Sequence, residues 1–299
     1  MNNDEMVRPS QYSAFTHLAR SVLGARYHRE ETLFAMLTCY FEESIEKWAD
    51  DEDGAPRKFI FVCGYVASVE QWEKFEIEWK KFLADYEVSD FHMTDYCYGS
   101  EEYKKWPVND PKFAPIRERF IQDASRIVCK FARYGFVSAI SETIFRHVNK
   151  SYRLEESFGS PYGLVGRECA NLARSRRSKF YADKNDFKYV FEDGGPDKCG
   201  LMRAMTGLGP SFPDPIFEPG KNWKPSQKYP DGRKAVVQLQ AADYLAYEVR
   251  KFFNDQIKVK PIRDIRLSFE AITGIDMAKR LFTVKELEST CDDLQIQRR

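Results

Sequence analysis

Apolar positions along this chain gather into a few dense runs, and the spacing within each run indicates the element it builds. The first, LFAMLTCYF from Leu33 to Phe41, is continuously apolar and bulky, as expected for a strand buried on both faces. It ends at Glu42 and Glu43, so a central strand carries carboxylates at its tip. The polar stretch from Glu46 to Arg57 predicts a loop that leads, in a hairpin, to a second strand, KFIFVCGYVA. Ser68 then opens a helix. Its side chain caps the first turn while Gln71 closes the capping box, and Val69, Trp72, Phe75, Trp79, Phe82 and Leu83 form one apolar stripe for packing on the sheet.

A short segment, DFHMTDY (Asp90 to Tyr96), precedes a second long helix. There Asp110 stands before Pro111, and Phe113, Ile116, Phe120, Ala124, Ile127 and Phe131 recur at helical spacing until Gly135 ends the helix. Phe136 to Ile140 reads as another strand, and Ser160 with Pro161 starts a third helix that runs to about Tyr181. The strand FKYVF, Phe187 to Phe191, again finishes in carboxylates, Glu192 and Asp193. From Gly207 to Lys234 the chain is rich in proline and glycine and reads as one long loop, and a helix from about Val236 to Asn254 is the last strong element. Residues 1–32 are mixed and polar, a leading arm with a short helix near Tyr12 to Leu23. With neither internal repeat nor linker, a single elaborated α/β domain is the simplest reading.

Composition narrows the function only slightly. Lysine plus arginine equals aspartate plus glutamate at 46 each, so attraction for nucleic acid has to come from a local patch. The seven cysteines are odd in number, scattered and never in a C-x-x-C pair, which argues against a disulfide framework and a structural zinc site and fits a reducing cytoplasm. No run of eighteen apolar residues and no secretory leader is present in the sequence, so the expectation is a soluble cytoplasmic protein with no membrane partner. A nucleophile elbow, a Walker loop, a dinucleotide-binding fingerprint and a zinc-protease helix are all missing.

The acidic residues carry the chemistry. Advancing 100° per residue from Leu239 puts Ala242, Ala246, Val249 and Phe253 on the apolar face of the last helix, with Asp243 at its edge. A carboxylate there is costly unless it is paired, hydrogen-bonded or bound to a metal. Together with Glu42 and Glu192 it makes a set of oxygen ligands suited to a hard cation, Mg²⁺ or Mn²⁺. Two such ions about 4 Å apart activate water and stabilise the leaving oxygen in phosphodiester hydrolysis. The competing reading is plain: acids at strand ends are also common solvated turn residues.

Five blocks then point to a family. YFEES (Tyr40 to Ser44), VCGYVASVEQWEKFEIEWKKFL (Val62 to Leu83), FHMTDY (Phe91 to Tyr96), VFEDG (Val190 to Gly194) and LQAADYLAYEVRK (Leu239 to Lys251) together resemble domain of unknown function 3800. The resemblance covers about residues 34–254. It implies a ribonuclease H-like mixed β-sheet flanked by helices, with elaborations, over residues 33–256, followed by a C-terminal extension over 257–299. It also implies a metal-dependent nuclease. Position by position, Glu42, Glu192 and Asp243 match the family's metal ligands, with Asp193 an alternate for Glu192. His92 and Asp95 match its His-containing segment, and Glu43 or Asp95 serves as auxiliary ligand or base. The first-strand signature, usually aspartate, glutamate, serine, glycine, here reads Glu42, Glu43, Ser44, Ile45. The longer side chain shifts a bound metal, and isoleucine for glycine changes the turn that follows.

Two segments offer phosphate contacts. Arg174, Arg176, Arg177 and Lys179 end the third helix, where the macrodipole alone also favours cations. In the long loop, Phe212, Phe217, Trp223 and Tyr229 interleave with Lys221, Lys224, Lys228, Arg233 and Lys234. That mixture suits stacking on bases, or anchoring the loop to the surface. Three functions follow: a metal-dependent nuclease acting on nucleic acid, a catalytically degenerate nucleic-acid-binding module on the same fold, or a component acting through protein partners.

Overall fold

The computed structural model describes residues 37–47, 58–176, 187–207, 212–219, 236–257 and 265–299. The N-terminal arm, the first four residues of the predicted first strand and most of the predicted long loop lie outside them. In chain order the elements are β1 (Leu37–Lys47), β2 (Lys58–Ser68), α1 (Val69–Asp85), α2 (Met93–Tyr98), α3 (Ala114–Phe131), β3 (Tyr134–Ser141), α4 (Glu142–Asn149), α5 (Leu154–Phe158), α6 (Pro161–Ser175), β4 (Phe187–Glu192), α7 (Lys198–Gly207), β5 (Ile216–Glu218), α8 (Val237–Ile257), α9 (Leu267–Ile272), β6 (Met277–Leu281) and α10 (Val284–Asp293).

The strands form one mixed α/β sheet in the order β5-β4-β1-β2-β3-β6. β1 lies at its centre, antiparallel to β2 over its whole length and parallel to β4 only from Leu37 to Phe41. Both acid-bearing strands are therefore neighbours. Alternation splits β1 between two cores. Tyr40 joins the layer built by α1, α3 and α8, whereas Leu37, Cys39 and Phe41 join the layer built largely by α4 to α7 and α10. With a core on each face, the apolar run reads as continuous and not alternating.

Local signals explain the helices that flank the site. Ser68 and Gln71 form the expected capping box of α1, and Trp72, Phe75, Trp79, Phe82 and Leu83 are all buried. Ser160 Oγ accepts from the Gly163 amide, and Pro161 begins α6. An aromatic cluster centred on Phe120 of α3, with ring centroids 4.7 Å from Phe82, 5.5 Å from Phe91 and 5.4 Å from Tyr96, fastens the α2 segment to α1 and α3.

Several expectations need correction. The first strand does not end at Phe41. It continues to Lys47 because β2 offers a partner at every position, and Ile45 sits opposite Ile60 in the ladder where a turn was expected. α3 stops at Phe131, not at Gly135, because Ala132 takes an extended conformation and the Arg133 amide donates to Val66 O at 2.8 Å, starting β3. Ile116 of its predicted stripe is 37% exposed. α6 ends at Ser175 with Arg176 as its C-cap, while Arg177 falls outside the described residues. The predicted long loop contains β5, added to β4 from Ile216 to Glu218. The predicted C-terminal extension supplies β6, an edge strand of this same sheet parallel to β3. α8 is buried on far more than one face: Ala241, Tyr244, Leu245 and Tyr247 are as covered as Ala242 and Ala246.

Among the described residues no helix is long and apolar enough to cross a membrane.

Candidate metal centre

The acids meet where β4 stops pairing with β1. β1 continues past Phe41, so its next two residues, Glu42 and Glu43, border an edge that β4 no longer covers. Alternation sends Glu42 to the α8 side with Tyr40 and sends Glu43 to the opposite side. Glu192 closes β4 beside them. One carboxylate oxygen from each of Glu42, Glu43 and Glu192 lies within 4.8 Å of the others. Glu42 is only 9% exposed. Its Oε2 and that of Glu43 are buried without a hydrogen-bond partner among the described residues.

Like charges this close resist ionisation. Burial pushes the Glu42 carboxyl well above its ordinary range, helped by a hydrogen bond with Glu192 and by the charges of Glu43, Glu192 and Asp243. Burial likewise raises Glu43 to about 7, and the charges of Glu192 and Asp243 add to the shift. Asp243 is raised by burial too, against the opposing pull of His92 and of the Met93 amide.

Asp243, expected as a ligand with Glu42 and Glu192, is not one of the three clustered acids, although its charge acts on Glu42 and Glu43. Its Oδ2 accepts from the Met93 amide at 2.7 Å. Its Oδ1 lies 3.4 Å from His92 Nε2, and His92 Nδ1 lies 3.2 Å from Asp95 Oδ2. Asp95 in turn accepts from Ser100 Oγ at 2.7 Å. His92 thus sits between two carboxylates at the start of α2, its Nδ1 buried without a hydrogen bond among the described residues. One turn before Asp243, Gln240 grips the same segment: its Oε1 accepts from Trp79 Nε1 at 2.7 Å and from the Phe91 amide at 3.2 Å, and its Nε2 donates to Asp90. Arg250 Nη1 donates to Glu46 at 2.6 Å, pinning α8 to the far end of β1.

The other predicted residues divide. Glu43, expected as an auxiliary, belongs to the triad. Asp193, the expected alternate ligand, is instead held by Lys198 Nζ at 3.1 Å, because the chain turns immediately after β4. Arg174 lines a cavity distant from the acids, and Arg176 caps α6. Lys221, Trp223 and Lys224 lie outside the described residues.

Sequence reasoning missed three neighbours. Tyr162, buried in the first turn of α6, has its phenol raised by burial and then by Glu43, Glu42 and Glu192, so it lies within electrostatic reach of the triad. Gln240 is the second. Glu218 of β5, 5% exposed, stands in register with Glu192. The serine–proline start of α6 and the three-residue spacing of Gln240 and Asp243 were legible signals, but neither says what lies opposite.

Comparison with known proteins matches this chain to no family model, no curated protein and no solved structure.

Proposed function

We propose that this chain is a divalent-metal-dependent nuclease with a ribonuclease H-like fold, related to domain of unknown function 3800. The observation that carries the reading is the triad of Glu42, buried, with Glu43 and Glu192, partly buried, two of whose oxygens lack a partner among the described residues. Buried carboxylates are ordinarily paired or hydrogen-bonded, and three clustered acids that leave Glu42 Oε2 and Glu43 Oε2 without a partner among the described residues suit an oxygen-loving cation. Glu42, Glu43 and Glu192 would hold Mg²⁺ or Mn²⁺, with Asp243 completing the set. The metal would supply a Lewis acid that makes water a nucleophile near neutral pH and neutralises charge at phosphorus.

The protein's own groups do the rest. The Met93 amide orients Asp243, and His92 Nε2 lies 3.4 Å from its other oxygen. Glu43, raised to about 7 without metal, would give up its proton when the cation binds, so metal affinity should rise with pH through that range. The Tyr162 phenol, kept protonated by burial beside the acids, is a donor for a phosphate oxygen. Support for a nucleic-acid substrate is the resemblance together with this phosphate-compatible chemistry.

The test is calorimetric titration of Mn²⁺ or Mg²⁺ into the protein and into Asp243→Asn and Glu192→Gln variants, with cleavage of single- and double-stranded DNA and RNA measured on the same samples. Binding and cleavage that both vanish in the variants support the reading. Metal binding without cleavage of any of the four would leave a metal-dependent module with another substrate or none. No metal binding at all would overturn the proposal.

A further inference from the structure

At the opposite end of α6 the surface opens into a cavity of about 470 Å³ whose lining includes Arg167, Glu168, Asn171, Arg174, Arg280 and Asp293. Arg167, Asn171 and Arg174 follow one another at intervals of four and three, so α6 presents them along one face. Arg280 enters from β6, and Thr290 and Asp293 enter from α10. Tyr162, at the acid triad, and Arg174, at this cavity, are separated along α6 by about 18 Å at 1.5 Å per residue.

The cationic wall is preorganised. The guanidinium carbons of Arg167 and Arg174 lie 4.9 Å and 5.3 Å from the centre of the Phe212 ring, so one aromatic platform sets both. Arg167 is 5% exposed. Glu168, also buried, accepts from Arg280 at 3.5 Å and from Asn171 at 3.4 Å, and Arg280 also donates to Thr290 at 3.0 Å. Among the lining residues there are three arginines against two carboxylates, Glu168 and Asp293. Burial disfavours the charge of Arg167, Glu168 partly restores it and Arg174 opposes it. A dianionic ligand relieves that cost.

We infer that this cavity binds a phosphomonoester of nucleotide size, its phosphate held by Arg167, Arg174 and Arg280. Guanidinium forks match tetrahedral oxyanions, and several together favour phosphate over a single carboxylate. The volume falls in the range of small-ligand pockets and exceeds what inorganic phosphate needs. Asn171, Ser175, Thr290 and Asp293 offer partners to the hydroxyl and amino groups of the remainder. The phosphomonoester could belong to a free nucleotide or to the 5′ end of a nucleic-acid strand. The site is separate from the acid triad and does not depend on its activity.

The test is calorimetric titration, without divalent metal, of adenosine 5′-monophosphate, adenosine, inorganic phosphate, and a tetranucleotide with and without a 5′-phosphate. The full chain is used, alongside its Arg174→Glu, Arg174→Lys and Asp243→Asn variants. The expected result is binding of the nucleotide or the phosphorylated strand, at least tenfold weaker binding of adenosine, of phosphate and of the unphosphorylated strand, and loss of at least tenfold in Arg174→Glu. Arg174→Lys should recover part of that loss, and Asp243→Asn should leave affinity unchanged. Preference for the nucleotide or for the strand assigns the source. Failure of every probe, equal binding of adenosine or of phosphate alone, or undiminished binding in a folded Arg174→Glu variant would overturn the inference, with folding checked by thermal unfolding.

Discussion

Two regions of this molecule bury glutamates, and they treat them in opposite ways. Between α8 and α9, Glu248 is fully buried, yet Arg266 reaches it at 3.2 Å and Ser268 Oγ donates at 2.8 Å. At the end of β4, Glu42, Glu43 and Glu192 crowd within 4.8 Å with no guanidinium or ammonium paired to them among the described residues. The same residue type is a structural fastening in one place and an unneutralised charge in the other. Burial therefore does not identify a functional acid; the absence of a cationic partner is the more telling feature.

That contrast can be broken by substitution. The largest effect is expected at the paired site. Glu248→Gln leaves Arg266 half-buried with a neutral partner and should cost about 3 kcal/mol in denaturant unfolding. Glu192→Gln should do the reverse, leaving metal-free stability unchanged or improved by removing a crowded charge, while Mn²⁺ affinity falls about 100-fold, or ~2.7 kcal/mol. If Glu192→Gln instead destabilised the protein as Glu248→Gln does, the triad would be structural and the contrast would collapse.

Acidity sharpens the same comparison. Glu43 is raised to about 7, and Glu42 and Asp243 are also raised. The folded chain thus holds protons that the unfolded chain releases in the ordinary carboxyl range. Stability without metal should be greatest below that range and fall by on the order of 2 kcal/mol as pH rises through about 7. Saturating Mn²⁺ should flatten or invert the slope, and thermal unfolding at stepped pH with and without metal reads both. A slope of the opposite sign would mean that the acids are compensated in a way the triad geometry does not provide. The smallest effect belongs to exposed pairs: Lys74→Ala, which removes a 2.6 Å contact with Glu70 on the open face of α1, should change stability by less than about 0.5 kcal/mol.

Much of the scaffold was legible from neighbouring residues. Ser68 and Gln71 cap α1, Ser160 and Pro161 start α6, and the aromatic stripe of α1 is buried, because caps and helical stripes depend on residues three or four apart. The two acid-bearing strands were likewise readable as apolar runs that end in carboxylates. The site was only partly legible. Glu42 and Glu192 could be picked out as candidates, but whether Glu43 or Asp193 joined them turned on how β1 continues beyond the last β4 pair and how the chain turns after Glu192.

The sequence by itself determined α1, α3, α6 and α8, the strands β1 to β4 and the supply of carboxylates, since each follows from composition and periodicity over a few residues. Tertiary structure alone decided the sheet order, the addition of β5 and β6, the grip of Gln240 on the Asp90–Met93 segment, the approach of Tyr162 and the three-arginine cavity. Gln240 and Asp90 are 150 positions apart in the chain, and Arg280 and Glu168 are 112 apart. Contacts of that kind are set by register and packing, and local pattern carries no record of either.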